Sequence, residues 1–151
     1  MRHRLPVSVA QLTGMRPAER DGVFRSSPAG PTPAGIADGT ALLPLGRVST
    51  KVAARLIRIL AWQGKVFDPA AGDLRNRITP FGIRAIRAKV YRDASWVDGD
   101  ECIVLDYSRT SIVARWIRDE IREVAPRTYL GQVFVRRRRW LHFALILRPP
   151  A

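Results

Sequence analysis

The apolar positions follow two different periods along the chain, and the change between them divides it. Val48, Val52, Leu56 and Ile59 recur at helical spacing, with Lys51, Arg55 and Arg58 on another face. Ser49 or Thr50 can cap the start, and Gly64 follows the end as a stop signal, so the pattern predicts an amphipathic helix near 48–62. Beyond residue 64 the period shortens to two. Lys65-Val66-Phe67-Asp68 predicts a short strand ended by Pro69. Leu74, Asn76 and Ile78 alternate with Arg75, Arg77 and Thr79, and Ile86, Ala88 and Val90 with Arg87, Lys89 and Tyr91. Asp98-Gly99, between Trp96-Val97 and Ile103-Val104-Leu105, is a hairpin signal. A last hairpin joins Thr128–Val135 to Arg139–Leu147 through the Arg136–Arg139 run, with Leu141, Phe143, Leu145 and Leu147 facing one side.

Residues 110–124 fit an amphipathic helix or a turn-and-strand; we read a short helix near 110–116 and a strand near 118–124. Residues 1–25 carry one small apolar patch (Val7, Val9, Leu12) and read as a short helix packed on the rest, or as a loose arm. The Pro- and Gly-rich stretch 26–46 reads as irregular chain, with Thr40-Ala41-Leu42-Leu43 a short first strand inside it. Six or seven strands joined by short turns make an antiparallel meander, which closes on itself to leave no bare edge. The expected fold is therefore mainly β: an N-terminal arm over 1–25, then one β-barrel domain over 26–151 with one or two helices.

Composition changes this picture in one respect. The 151 residues, 46% apolar, suffice for one cored domain, and the formal net charge of +13 attracts polyanions such as nucleic acid or an anionic membrane surface. Nearly all the basic residues are Arg, Lys standing only at 51, 65 and 89, a bias that GC-rich coding also produces. Cys102 is the sole cysteine, compatible with a reducing compartment. No apolar run is long enough for a membrane span, and the basic start lacks the apolar stretch of a signal peptide. The expectation is a leaderless cytoplasmic protein.

Several blocks together resemble a known group. Trp62-Gln63-Gly64-Lys65-Val66-Phe67, Ser95-Trp96-x-Asp98-Gly99, Leu105-Asp106-Tyr107-Ser108-x-Thr110-Ser111, Arg118-Asp119-Glu120-Ile121-Arg122 and Tyr129-Leu130-Gly131 are similar to blocks of the small bacterial lipocalin-like domains of Gly-x-Trp-x-Gly type. The resemblance covers roughly residues 24–148. Gly35-x-x-x-Gly39 stands where the Gly-x-Trp signature would lie, without the Trp. It implies a calycin-type barrel with an interior pocket for a hydrophobic or amphipathic small molecule.

Metal and cofactor chemistry find little support in the residues. His3 and His142 lie far apart with Cys102 between them, no CxxC or HExxH occurs, and the glycines lack phosphate-loop spacing, so no metal or cofactor is expected. The expected ligand-binding set is walled by the polar-tipped aromatics Trp62, Tyr91, Trp96, Tyr107, Trp116 and Tyr129 with Asp106. The charged run Arg118, Glu120 and Arg122 shares one face if extended, and could anchor an acidic head group if that face looked inward. An ion-pair network on a solvated wall is the plainer reading of that run. One alternative is a polyanion-binding module using Lys51, Arg55 and Arg58 on the helix and Arg136, Arg137, Arg138 and Arg139 at the hairpin tip. Another is a cofactor-free enzyme working through Asp106, Glu120 and Tyr107.

Overall fold

The computed structural model describes residues 5–42, 62–78, 87–110 and 115–150. Eight antiparallel strands close into a barrel in simple sequence order. They are β1 (Gly35–Leu42), β2 (Trp62–Asp68), β3 (Asp73–Ile78), β4 (Arg87–Ala94), β5 (Glu101–Asp106), β6 (Ile117–Ala125), β7 (Thr128–Val135) and β8 (Arg138–Leu147). Closure comes from β1, which pairs with β2 from Gly35↔Phe67 to Asp38↔Gly64 and with β8 from Ala37↔Leu147 to Leu42↔His142. The mainly-β barrel expected from the alternation is thus present, with eight strands where six or seven were counted. The helix expected near 48–62 lies outside the described residues except for Trp62, which opens β2 opposite Ile78. Residues 111–114 of the helix expected near 110–116 also lie outside them, and Thr110, Arg115 and Trp116 are turn residues.

The two sides of the barrel wall build two cores. The lumen is lined by Ala37, Phe67, Leu74, Ala88, Ile103, Leu105, Tyr107, Ile121, Tyr129, Phe143 and Leu145, which together come from all eight strands or their ends. Alternation then puts Cys102, Val104, Val124, Leu130 and Ala144 on the outer wall. That wall is roofed by residues 5–25. Two short helices, α1 (Val9–Thr13) and α2 (Pro17–Arg25), lay Leu12, Val23 and Phe24 against it. Ser8 and Gln11 form a capping box on α1, and Pro17 opens α2, so each short helix begins with its first amides satisfied. Arg20 is 1% exposed and donates to the carbonyls of Leu12, Thr13 and Leu42, tying α2 to α1 and to β1. The described part of this segment, residues 5–25, is thus packed on the wall through two short helices.

After α2 the chain crosses the end of the barrel that carries the β2–β3, β4–β5 and β6–β7 turns. Ala29 enters the lumen core, its carbonyl accepts from the Glu123 amide at 3.2 Å, and the Tyr129 hydroxyl donates to the Pro31 carbonyl at 2.6 Å. The Pro/Gly stretch is irregular up to Ala34, as its composition predicts, and then runs straight into β1. No helix among the described residues is long and apolar enough to cross a membrane.

Candidate functional site

Among the described residues, Lys65, Asp119 and Tyr107 form a polar cluster inside the largely apolar lumen. Lys65 on β2 shares the inward face with Phe67, and Asp119 on β6 stands between the inward-facing Ile117 and Ile121. Lys65 Nζ donates to Asp119 Oδ2 at 3.1 Å and to the Tyr107 hydroxyl at 2.5 Å, and that hydroxyl lies 3.3 Å from the same carboxylate oxygen. The ammonium also lies 5.3 Å from the Tyr107 ring centroid and 5.5 Å from that of Phe143, within cation–π range. Side-chain exposure is 3% for Lys65 and 5% for Asp119. Desolvation dominates both titrations, pushing the Lys65 amine down and the Asp119 carboxyl up, while their mutual attraction opposes each shift. The second carboxylate oxygen, Asp119 Oδ1, is buried and accepts no hydrogen bond.

Two glycines make room for this cluster. Gly64, immediately before Lys65, has φ +134 and packs against the backbone of β1, where any Cβ would strike the Ala37 carbonyl. Gly131 on β7 lies beneath the Phe143 ring, so that the aromatic can lie flat across the lumen beside Lys65.

The candidate residues divide between the two sides of the wall. Tyr107 and Tyr129 are in the lumen, at 3% and 1% exposure. Arg118, Glu120 and Arg122 alternate with Asp119 and Ile121, so their face looks outward, away from any lumen pocket. There they make an ion-pair network. Glu120 is fully buried; it accepts from the Ser95 hydroxyl at 2.5 Å, the Trp96 amide at 2.8 Å and Arg118 at 3.0 Å. Arg122 forks onto both oxygens of Asp98 at 2.7 Å and donates to the carbonyls of Phe24, Asp100 and Glu101. The Arg122 hydrogen bonds hold the Asp98 carboxyl below its ordinary range. These contacts fold the Ser95–Asp100 turn down on the outer wall and fasten α2 beside it.

Tyr91 and Asp106 also face outward. The Tyr91 hydroxyl donates to Asp106 Oδ2 at 2.8 Å, and desolvation together with that bond pushes its titration up to about 12. Asp106 and Glu120 are each engaged by their own donors, and Tyr107 is on the other side of the wall. His142, also on the outer wall, places Nε2 2.9 Å from Asp21 Oδ1 of α2, and burial lowers its titration. Lys51, Arg55 and Arg58 lie outside the described residues. The hairpin tip is tighter than the four-arginine run suggests: Arg136 and Arg137 alone form the turn, while Arg138 and Arg139 belong to β8. Arg139 pairs with Asp21. Among the described residues, no three His, Cys, Asp or Glu side chains converge as a metal site would need.

Lys65 and Asp119 were not among the candidates. The signal for both was one charged residue on an apolar stripe of an alternating strand, against Phe67 in one case and Ile117 and Ile121 in the other.

No protein-family model matches the sequence. No curated protein matches it either. Among solved structures the chain is similar to a protein from Thermomonospora curvata, 16% identical over 93% of each chain, with a TM-score of 0.61. At that identity the likeness shows the fold alone: the closed eight-stranded barrel is an architecture this chain shares with another protein of similar length.

Proposed function

We propose that the barrel binds a small apolar or amphipathic molecule, as lipocalin-like domains do, and that Lys65, Asp119 and Tyr107 anchor its head group. The single observation that carries this reading is Asp119 Oδ1, a buried carboxylate oxygen without a donor. Leaving such an acceptor unsatisfied costs on the order of 1–3 kcal/mol, and more when it is charged. A ligand O–H or N–H supplied to it recovers that cost. The surrounding side chains (Phe67, Leu105, Ile121, Phe143) suit an aliphatic or aromatic body, and an amine beside the carboxylate suits a head group that also carries an acceptor. A hydroxyl or a carboxylic acid offers both. The reading leaves the outward-facing Arg118, Glu120 and Arg122 as structural ion pairs.

The test is native mass spectrometry of the protein purified from its own host, followed by organic extraction of whatever it carries. A species near one per chain, absent from Asp119→Leu protein made in the same way, is the expected result. An empty wild-type chain that also fails to enhance the fluorescence of an apolar dye overturns the proposal.

A further inference from the structure

A second surface, on the outer wall of β6 and β7, is independent of the lumen reading. Trp96, from the turn after β4, lies across that wall with its ring edge-on to Phe134 at 5.3 Å. The Arg118 guanidinium lies 4.3 Å from its ring centroid and that of Arg137 4.8 Å. At the adjoining rim Trp116 carries Arg115 at 4.5 Å and Arg136 at 4.7 Å, and its carbonyl accepts from the Arg136 amide. Both indoles remain exposed, at 39% and 49%. Four guanidiniums are thus set against two indoles on one continuous patch. Of the four, only Arg118 has an acidic partner; Arg115, Arg136 and Arg137 form no ion pair among the described residues.

The backbone adds a separate indication. Arg136 and Arg137 occupy the two central positions of the β7–β8 turn with φ of +49 and +68, a left-handed conformation that Asn and Gly adopt at far lower cost. Two adjacent arginines in that geometry carry backbone strain that Asn or Gly would avoid. Stacked on an indole, the guanidiniums of Arg115, Arg136 and Arg137 keep N–H edges that match a phosphate fork, whereas Arg118 spends Nε and Nη2 on Glu120 and the Ala94 carbonyl and serves to seat Trp96. Indoles between phosphate-binding groups stack bases without reading their sequence.

We infer that this patch, centred on Trp96 and Trp116 with Arg115, Arg136 and Arg137, binds single-stranded nucleic acid. A strand would lay its phosphates along the guanidiniums and its bases on the indoles, in keeping with the net charge of +13.

The experiment titrates a short fluorescein-labelled poly(dT) strand with the full chain across a salt series and follows anisotropy. Three phosphate contacts, each releasing about 0.7 of a counterion, predict a log–log salt slope near 2, and Arg136→Gly plus Arg137→Gly lowers it to about 0.7. Glycine suits the left-handed turn, so this variant melts at or above the wild-type temperature while binding at least tenfold more weakly. Arg75→Ala plus Arg87→Ala removes the same charge from exposed positions on β3 and β4 and leaves affinity within about twofold. If the glycine variant melts early, the decision passes to Trp116→Ala, expected to lose about tenfold. Equal weakening by the β3–β4 control shows a mere net-charge effect and overturns the inference. Failure to bind the strand alongside capture by phosphatidylglycerol vesicles also overturns it, in favour of a lipid surface.

Discussion

Removing one member of the lumen ion pair should destabilise the barrel, with a pH dependence that depends on which member remains. At 3.1 Å and an effective dielectric of about 20, the direct attraction between Lys65 and Asp119 is about 5 kcal/mol, set against a desolvation cost of several kcal/mol for each ion. In Lys65→Met the stranded Asp119 escapes its charge by binding a proton. That caps the electrostatic penalty at pH 7 at about 4 kcal/mol, the cost of protonating a carboxyl of ordinary pKa near 3.9. In Asp119→Leu the stranded Lys65 escapes by losing a proton, which caps the penalty at about 5 kcal/mol from an ordinary pKa near 10.4. The signs then diverge. A carboxyl raised in the folded state has its stability intact below about pH 4 and loses it as pH rises, so the Lys65→Met deficit grows upward from there. An amine lowered in the folded state has its stability intact above about pH 10 and loses it as pH falls, so the Asp119→Leu deficit grows downward. Each slope approaches about 1.4 kcal/mol per pH unit. The double variant, which removes both desolvation costs, should come within about 1 kcal/mol of wild type or exceed it. Urea unfolding of all four proteins from pH 4 to pH 9 measures the cycle. Single variants within about 0.5 kcal/mol of wild type, or slopes of the same sign, would refute a dry, coupled pair.

The other expectations concern the walls. Arg122→Met strands Asp98 and three backbone carbonyls, and should cost about 3–5 kcal/mol in urea unfolding. Because Asp98 is held below its ordinary range, the wild-type advantage over Arg122→Met is full above about pH 4 and shrinks as pH falls below it. Gly131→Ala forces a Cβ into the Phe143 ring and should cost about 1–3 kcal/mol, part of which Phe143→Leu in the same chain restores. Cys102 is fully buried and its thiol is pushed up to about 12, chiefly by burial, so Ellman's reagent should label it only after unfolding.

What the sequence made legible was alternation, and alternation is local. β7 is found over the predicted Thr128–Val135, and the stripe Leu141, Phe143, Leu145 and Leu147 points into the lumen as its period requires. The strand expected near 118–124 is Ile117–Ala125, because Ile117, Asp119 and Ile121 line one face of the wall. β1 was harder to see. Gly35–Leu42 is rich in small residues with weak strand preference, and it is extended because β2 and β8 pair with it on both edges. Asp98-Gly99 correctly marked a turn, but the strands stop at Ala94 and resume at Glu101 because Arg122 and Glu120 draw the intervening residues onto the outer wall. The candidate site misled for a related reason. Charge density drew attention to Arg118, Glu120 and Arg122, whereas the lumen face carries only Asp119, and its partner Lys65 is 54 residues away. Nothing local announces such a pairing, nor the meeting of Trp96 with Arg137 across the wall.

The way the barrel closes also constrains how the chain can be made. Leu12 and Phe24 leave the ribosome before the strands they cover, for they pack against a wall built from β5 to β8, and β1 waits for β8 from Ala37↔Leu147 to Leu42↔His142. Contacts between the two ends of the sequence therefore form last, at the greatest loop-closure cost. Until β8 emerges, the nascent protein exposes an unroofed apolar arm and the unpaired edges of β1 and β7. An elongating chain has no complete sub-barrel in which to shelter, and its most vulnerable interval on the ribosome lasts until β8 has emerged.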